Sequence, residues 1–249
     1  MIGLLVSIRS LAEAKISLGS NARIIDIKEP DNGALGCVGE TSLKDIANYL
    51  AANRGNYSSH PDKRIAISAA LGEALALNQQ TPVLSLDCLE NVEFAKLGLA
   101  QLGNIRHWWK IWESKISLLP KHVRSVAVAY ADHVSCNSPR PSDVANVGQQ
   151  LGCSIVLLDT FCKRQGSVFH HMPEKATAKF IADCKKNGQQ VVLAGSLSHD
   201  SLPTAVSCAP DFVGVRGAIC VSDRASTVCE NRLASIANQL ANIQLKIST

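Results

Sequence analysis

Short apolar runs rich in Val, Ile, Leu and Ala recur along the chain, and most are followed by apolar positions at helical spacing. Eight runs stand out: residues 2–6, 23–28, 64–69, 92–97, 125–130, 154–159, 190–194 and 211–216. Their near-continuous apolar character suits parallel strands covered by helices on their outer face. Between them lie helix signals. Ser10 and Glu13 spell a capping box, with Gly19 as the stop. Thr41 or Ser42 is placed to cap a helix that carries Leu43, Ile46, Ala47 and Leu50 on one face. Pro141 and Asp143 open a helix with Val144, Val147 and Leu151 aligned. Residues 173–186 read as a helix ended by Gly188, and residues 225–245 as a long closing helix.

The third and seventh connections are weaker. Pro82 interrupts residues 72–91, and Pro203 and Pro210 bracket a short seventh helix. Residues 53–62 read as a polar loop. Strict alternation with eight strands predicts one α/β domain over residues 1–249, a TIM (β/α)8 barrel. An open doubly wound sheet fits less well, because no G-x-G-x-x-G follows the first strand.

Composition sharpens this picture. The chain has 249 residues, 46% of them hydrophobic and 18% charged, as a well-buried core requires. Its net charge of +4 is scattered, which argues against a nucleic-acid partner. Nine cysteines without a C-x-x-C pair suggest reduced, mostly buried thiols, neither a disulfide framework nor a zinc site. The N-terminal apolar run has no basic leader and reads as a strand, and no run reaches the length of a membrane span; a cytoplasmic protein is expected. All three tryptophans lie in His107-Trp-Trp-Lys-Ile-Trp112. They form either a ligand platform or, more simply, a helix face packed on the barrel or on another subunit. Barrels often associate, so a homo-oligomer is expected.

The chemistry concentrates at strand ends. In residues 23–30, Asp26 and Lys28 share one strand face and Ile25 and Ile27 the other. Buried charges are costly unless they are paired or used for chemistry. Lys28, Lys96, Asp159 and Arg216 end strands 2, 4, 6 and 8, and alternate strands fill one layer of a barrel interior. Asp26 falls one layer below. Clustered cations and burial both favour the neutral amine, the form a lysine nucleophile needs. Lys163, four residues past Asp159, can add another ammonium, and the two aspartates offer acid/base groups. The alternative is a structural Lys–Asp network closing the barrel. Gly195, Ser196, Arg216, Gly217 and Ala218 follow strands 7 and 8, where barrels often bind phosphate through backbone N–H groups. The glycine-rich stretch 30–36 is either a lid or a turn. His170 and His171 read as surface loop, and Cys37, Cys162 and Cys220 as packing residues. No metal or cofactor is called for.

The strings IIDIKEPDNGALG, AKLGL, LLDTFCK, LAGS and GVRGA, in this order, resemble the (5-formylfuran-3-yl)methyl phosphate synthase family over almost the whole chain. The resemblance implies a TIM barrel that condenses two molecules of glyceraldehyde 3-phosphate into a phosphorylated furan aldehyde, with loss of phosphate and water, for methanofuran-type cofactor biosynthesis. It implies that Lys28 forms a Schiff base, that Lys96 accepts a proton, and that Asp26, Asp159 and Lys163 belong to the active site. It makes a small triose phosphate the partner. Archaeal-type members read K-N-P where this chain has Lys28-Glu29-Pro30. From the residues alone, a phosphosugar isomerase or epimerase, or a non-catalytic phosphometabolite-binding barrel, stays open.

Overall fold

Each apolar run becomes a strand: β1 Gly3–Ile8, β2 Ile24–Ile27, β3 Ala66–Glu73, β4 Phe94–Gly98, β5 Arg124–Tyr130, β6 Ile155–Asp159, β7 Gln190–Leu193 and β8 Phe212–Val215. All neighbours pair in parallel, and β8 returns to β1, so the sheet closes into a barrel of eight strands in chain order. This computed structural model describes residues 1–57, 64–78 and 85–247. Residues 58–62 of the predicted polar loop, and Pro82, lie outside the described residues.

The helices are α1 Leu11–Leu18, α2 Glu40–Asn53, α3 Trp108–Ile116, α4 Pro141–Gln150, α5 Val168–His171, α6 Glu174–Lys186, α7 Leu202–Ser207 and α8 Glu230–Ile247. Strand alternation separates two apolar zones. Ile25, Ile27, Ile67, Leu97, Val156 and Leu193 face the helices, while Leu5, Ile24, Phe94, Leu157 and Val192 fill the barrel interior. Full burial of each such side chain stabilises by about 1.5–3 kcal/mol. Trp108 and Trp112 of α3 stack with ring centroids 6.3 Å apart, and both are buried in the core between helices and strands. The tryptophan-rich helix therefore packs on its own barrel.

Several boundaries move for local reasons. The first turn of α2 starts at Gly39, whose carbonyl accepts from Leu43 N–H, so Thr41 and Ser42 lie inside the helix, exposed, and do not cap it. Ser10 does cap α1, accepting from Glu13 N–H. Glu13 does not complete the box; its carboxylate accepts from Arg9 N–H and turns inward to Arg216. His170 is not loop but the last turn of α5, where its Nδ1 accepts from the Ser167 N–H. The closing helix begins at Glu230, five residues late, because residues 222–228 form a loop tied back to the barrel mouth.

Candidate active site

The strand face that carries Asp26 points into the barrel, as alternation requires. Asp26 pairs in register with Ser7 of β1 and Ser68 of β3, and the Ser7 hydroxyl donates to its Oδ2 at 3.2 Å. Asp26 is 1% exposed and Lys96 2% exposed, and the two form an ion pair across β2 and β4. Lys28 follows β2 directly, its N–H donating to the Ile8 carbonyl, and it is 7% exposed. Burial is the main force on its amine and pushes it from 10.5 down to about 8. Asp159 pulls it up, Lys163 pushes it further down, and Asp26 and Lys96 add smaller opposing effects.

A second pair stands beside it. Lys163 Nζ lies 2.5 Å from Asp159 Oδ1 and also donates to the Thr160 carbonyl and hydroxyl. Burial disfavours the Asp159 carboxylate, but Lys163 and Lys28 outweigh it and hold the group below the usual carboxylate range. Burial lowers the Lys163 ammonium, against the pull of Asp159. Asp132, two residues past β5, shapes the same loop by accepting from the N–H groups of Phe161 and Cys162 at 2.7 and 2.8 Å.

All five residues line one cavity of about 910 Å³ at the carboxyl ends of the strands. That lies within the roughly 300–1,000 Å³ of small-molecule sites. Its wall also contains Gly195, Ser196, Gly217 and Ala218. Gly195 has φ +96°, and Ser196 follows with φ 52°. A methyl on Gly195 would come within 3.0 Å of Val168 and 3.2 Å of the Thr160 nitrogen, so glycine is required there twice over. Gly217 and Ala218 open a 3₁₀ turn, and among the described residues the N–H groups of Ser196, Gly217 and Ala218 donate to no protein acceptor. Free backbone N–H groups in a concave wall are the donors from which an anion cradle is built.

Arg216 lines the cavity too, but its guanidinium points at protein. Nε donates to the Arg224 carbonyl, Nη1 to the Ser7 carbonyl and Glu13, and Nη2 to Glu13 and the Ser226 carbonyl. All five N–H groups are engaged, so the predicted phosphate contact through this side chain gives way to a buried clamp. Sequence spacing could not reveal a partner 203 residues away. One lining residue had no sequence signal: Arg224, in the loop after β8, reaches the cavity. Away from the cavity lining, Tyr130 at the end of β5 donates to Glu73 at 2.6 Å, and burial raises both groups above their ordinary values.

The glycine-rich stretch is a closed turn. Glu29 N–H donates to the Gly36 carbonyl, and Arg9 pairs with Glu29 and Asp31. All nine cysteines are free. Burial pushes the Cys136 and Cys184 thiols up to about 12 and raises Cys37 and Cys220, which keeps them protonated. No helix among the described residues is long and apolar enough to cross a membrane.

A closed parallel barrel whose carboxyl-end cavity holds two buried lysine–aspartate pairs, a further buried lysine and unengaged backbone N–H groups defines a (β/α)8 enzyme. The chain belongs to the 4-HFC-P synthase family, whose model matches residues 4–237. It is 29% identical to the (5-formylfuran-3-yl)methyl phosphate synthase of Archaeoglobus fulgidus, over 90% of this chain and 93% of the relative. It is 25% identical to the protein of the same name from Methanococcus aeolicus, over 87% and 89%. Among solved structures, phosphoribosyl anthranilate isomerase from Thermus thermophilus superposes with a TM-score of 0.63 at 13% identity, covering 97% of this chain and all of that one. The 3-hexulose-6-phosphate synthase of Salmonella typhimurium gives 0.56 at 13% identity, over 98% and 99%. At that identity the likeness concerns the fold alone.

Proposed function

We propose that this chain condenses two molecules of glyceraldehyde 3-phosphate into (5-formylfuran-3-yl)methyl phosphate through an imine on Lys28. The observation that carries the reading is the Lys28 amine, 7% exposed and lowered to about 8, inside a cavity that also holds the Asp26–Lys96 and Asp159–Lys163 pairs. A neutral amine adds to an aldehyde; an ammonium cannot.

In this mechanism Lys28 Nζ attacks the aldehyde carbon of the first triose and water leaves. The iminium acidifies the adjacent C2–H, and the Lys96 amine removes that proton. The electron pair then expels the phosphate from C3, leaving an enol. The second triose shifts a proton from C2 to C1 to become its ketose isomer. The enol C3 attacks that ketone carbon and forms the carbon–carbon bond. The C1 hydroxyl of the ketose closes onto C2 of the first triose, and two dehydrations, with Asp159 and Lys163 as the proton donors at hand, make the ring aromatic. Water cleaves the imine and frees Lys28. Atoms balance: two triose phosphates give one furan phosphate, one phosphate and two waters. The family membership, and the names of its relatives, support this product. Supply to methanofuran-type cofactor synthesis is part of the same proposal.

The test is incubation with glyceraldehyde 3-phosphate, with and without borohydride. The expected results are the furan phosphate by mass spectrometry and a reduced three-carbon adduct on the Lys28 peptide. Interconversion of triose phosphates with neither adduct nor furan would mark an isomerase and end the proposal.

A further inference from the structure

Three arginines line the cavity, Arg164, Arg216 and Arg224, and the fold treats the last two oppositely. Arg216 is saturated by protein acceptors. Arg224 is half-buried, and among the described residues its guanidinium makes a single hydrogen bond, from Nη2 to the Gly33 carbonyl at 3.1 Å. Four of its N–H groups therefore remain for a ligand. Its Cβ lies 3.9 Å from where a Gly217 Cβ would stand, so the side chain starts beside the cradle and crosses the mouth toward the loop after β2.

The backbone of Arg224 is fixed with unusual thoroughness for a loop. Its own carbonyl accepts from Arg216 Nε at 2.9 Å. The next carbonyl, Ala225, accepts from Arg9 at 2.5 Å, and Ser226 accepts from Arg216 Nη2 at 2.9 Å. Glu13 holds Arg216 from behind and accepts from the Val228 N–H at 3.2 Å. Asp223 closes the turn by accepting from the N–H groups of Ala225 and Ser226. The buried Glu13–Arg216 pair thus holds the loop on both sides of Ala225 and with it the backbone of Arg224.

We infer that Arg224 is the side chain that recognises the phosphate ester in the cradle of Ser196, Gly217 and Ala218, with Arg216 and Glu13 as positioning residues. The inference rests on the triose phosphate reading and deepens it. A planar guanidinium suits a phosphate because it presents two parallel N–H groups to two oxygens. The other cations at hand fit less well. Lys163 is engaged with Asp159 and Thr160, and Arg164 is exposed. Burial lowers the Arg224 guanidinium from its ordinary value and Arg216 adds to that, while Asp159 and Asp31 pull it back up; a further anion would favour its charged form in the same way.

Calorimetric titration of the full chain with inorganic phosphate tests this. In Arg224→Ala, phosphate affinity should fall at least tenfold, and Arg224→Lys, which keeps the charge but not the fork, should fall in between. KM for glyceraldehyde 3-phosphate should rise by a similar factor in each. Arg224→Ala binding phosphate within threefold of the wild type would overturn the inference, as would a wild-type chain that binds none at millimolar concentration. Phosphate affinity is read without chemistry at Lys28, whereas the imine is read from the Lys28 adduct, so the two failures are distinguishable.

Discussion

Lys28 gives the most discriminating prediction, because its burial has both a chemical and a stability consequence. Its amine titrates at about 8 instead of 10.5. At pH 7 that raises the neutral fraction from about 0.03% to about 10%, roughly 300-fold. Borohydride trapping with glyceraldehyde 3-phosphate, followed by initial rate from pH 6 to pH 9.5, should rise with a midpoint near 8. Asp159→Asn should move the midpoint down, because Asp159 pulls the amine upward. The sign for stability follows from the same shift. The folded chain holds this proton less tightly than the unfolded chain, so the penalty of the buried ammonium is present below about pH 8 and fades as pH rises from 8 toward 10.5. The penalty is about 3 kcal/mol. Lys28→Met should therefore abolish the adduct yet be more stable than the wild type at pH 7, by up to about 3 kcal/mol in urea unfolding, with the gap closing near pH 10. A trapping midpoint near 10, or a methionine variant less stable than the wild type at pH 7, would refute the reasoning.

Other perturbations separate structural from chemical roles. Asp26→Asn leaves the Lys96 ammonium buried without its counter-charge and should cost about 3–5 kcal/mol, read by chemical denaturation; a loss below about 1 kcal/mol would mean that Lys96 has relaxed to solvent. Trp112→Ala empties a fully buried site against Gly148 of α4 and should cost about 3–5 kcal/mol while leaving KM unchanged in steady-state assays. Gly195→Ala forces a side chain onto φ +96° and against Thr160, and should raise KM for the triose phosphate by tenfold or more. A crystal structure or kinetic assay that shows an undisturbed site in that variant would contradict the cradle.

The strands were legible because their period-two pattern is local. The order of residues 23–28 already put Asp26 and Lys28 on one face and Ile25 and Ile27 on the other, and the closed barrel retains that division. The boundaries that moved did so through distant partners. Glu13 abandons the capping box because Arg216 draws its carboxylate inward. The closing helix starts at Glu230 because the carbonyls of Arg224, Ala225 and Ser226 are taken by Arg216 and Arg9. Arg216 itself looked like a ligand residue from its place at a strand end, and only its buried partner reassigns it. Arg224 lay one residue before the predicted helix of residues 225–245, where nothing marked it as facing a cavity. Local pattern thus specified the scaffold and the lysine–aspartate face, while the division of labour between two arginines depended on closure.

The Glu13–Arg216 clamp has a bearing on how the molecule is made. One partner is translated just after the first strand of the barrel and the other only after the eighth. Until then Glu13 faces an unfinished cylinder, and the loop that carries Arg224 is tied down only once Arg216 has reached Glu13. Ligand recognition is thereby among the last features to mature, so a nascent or C-terminally shortened chain has the lysines of its second and fourth strands but no finished mouth through which to use them.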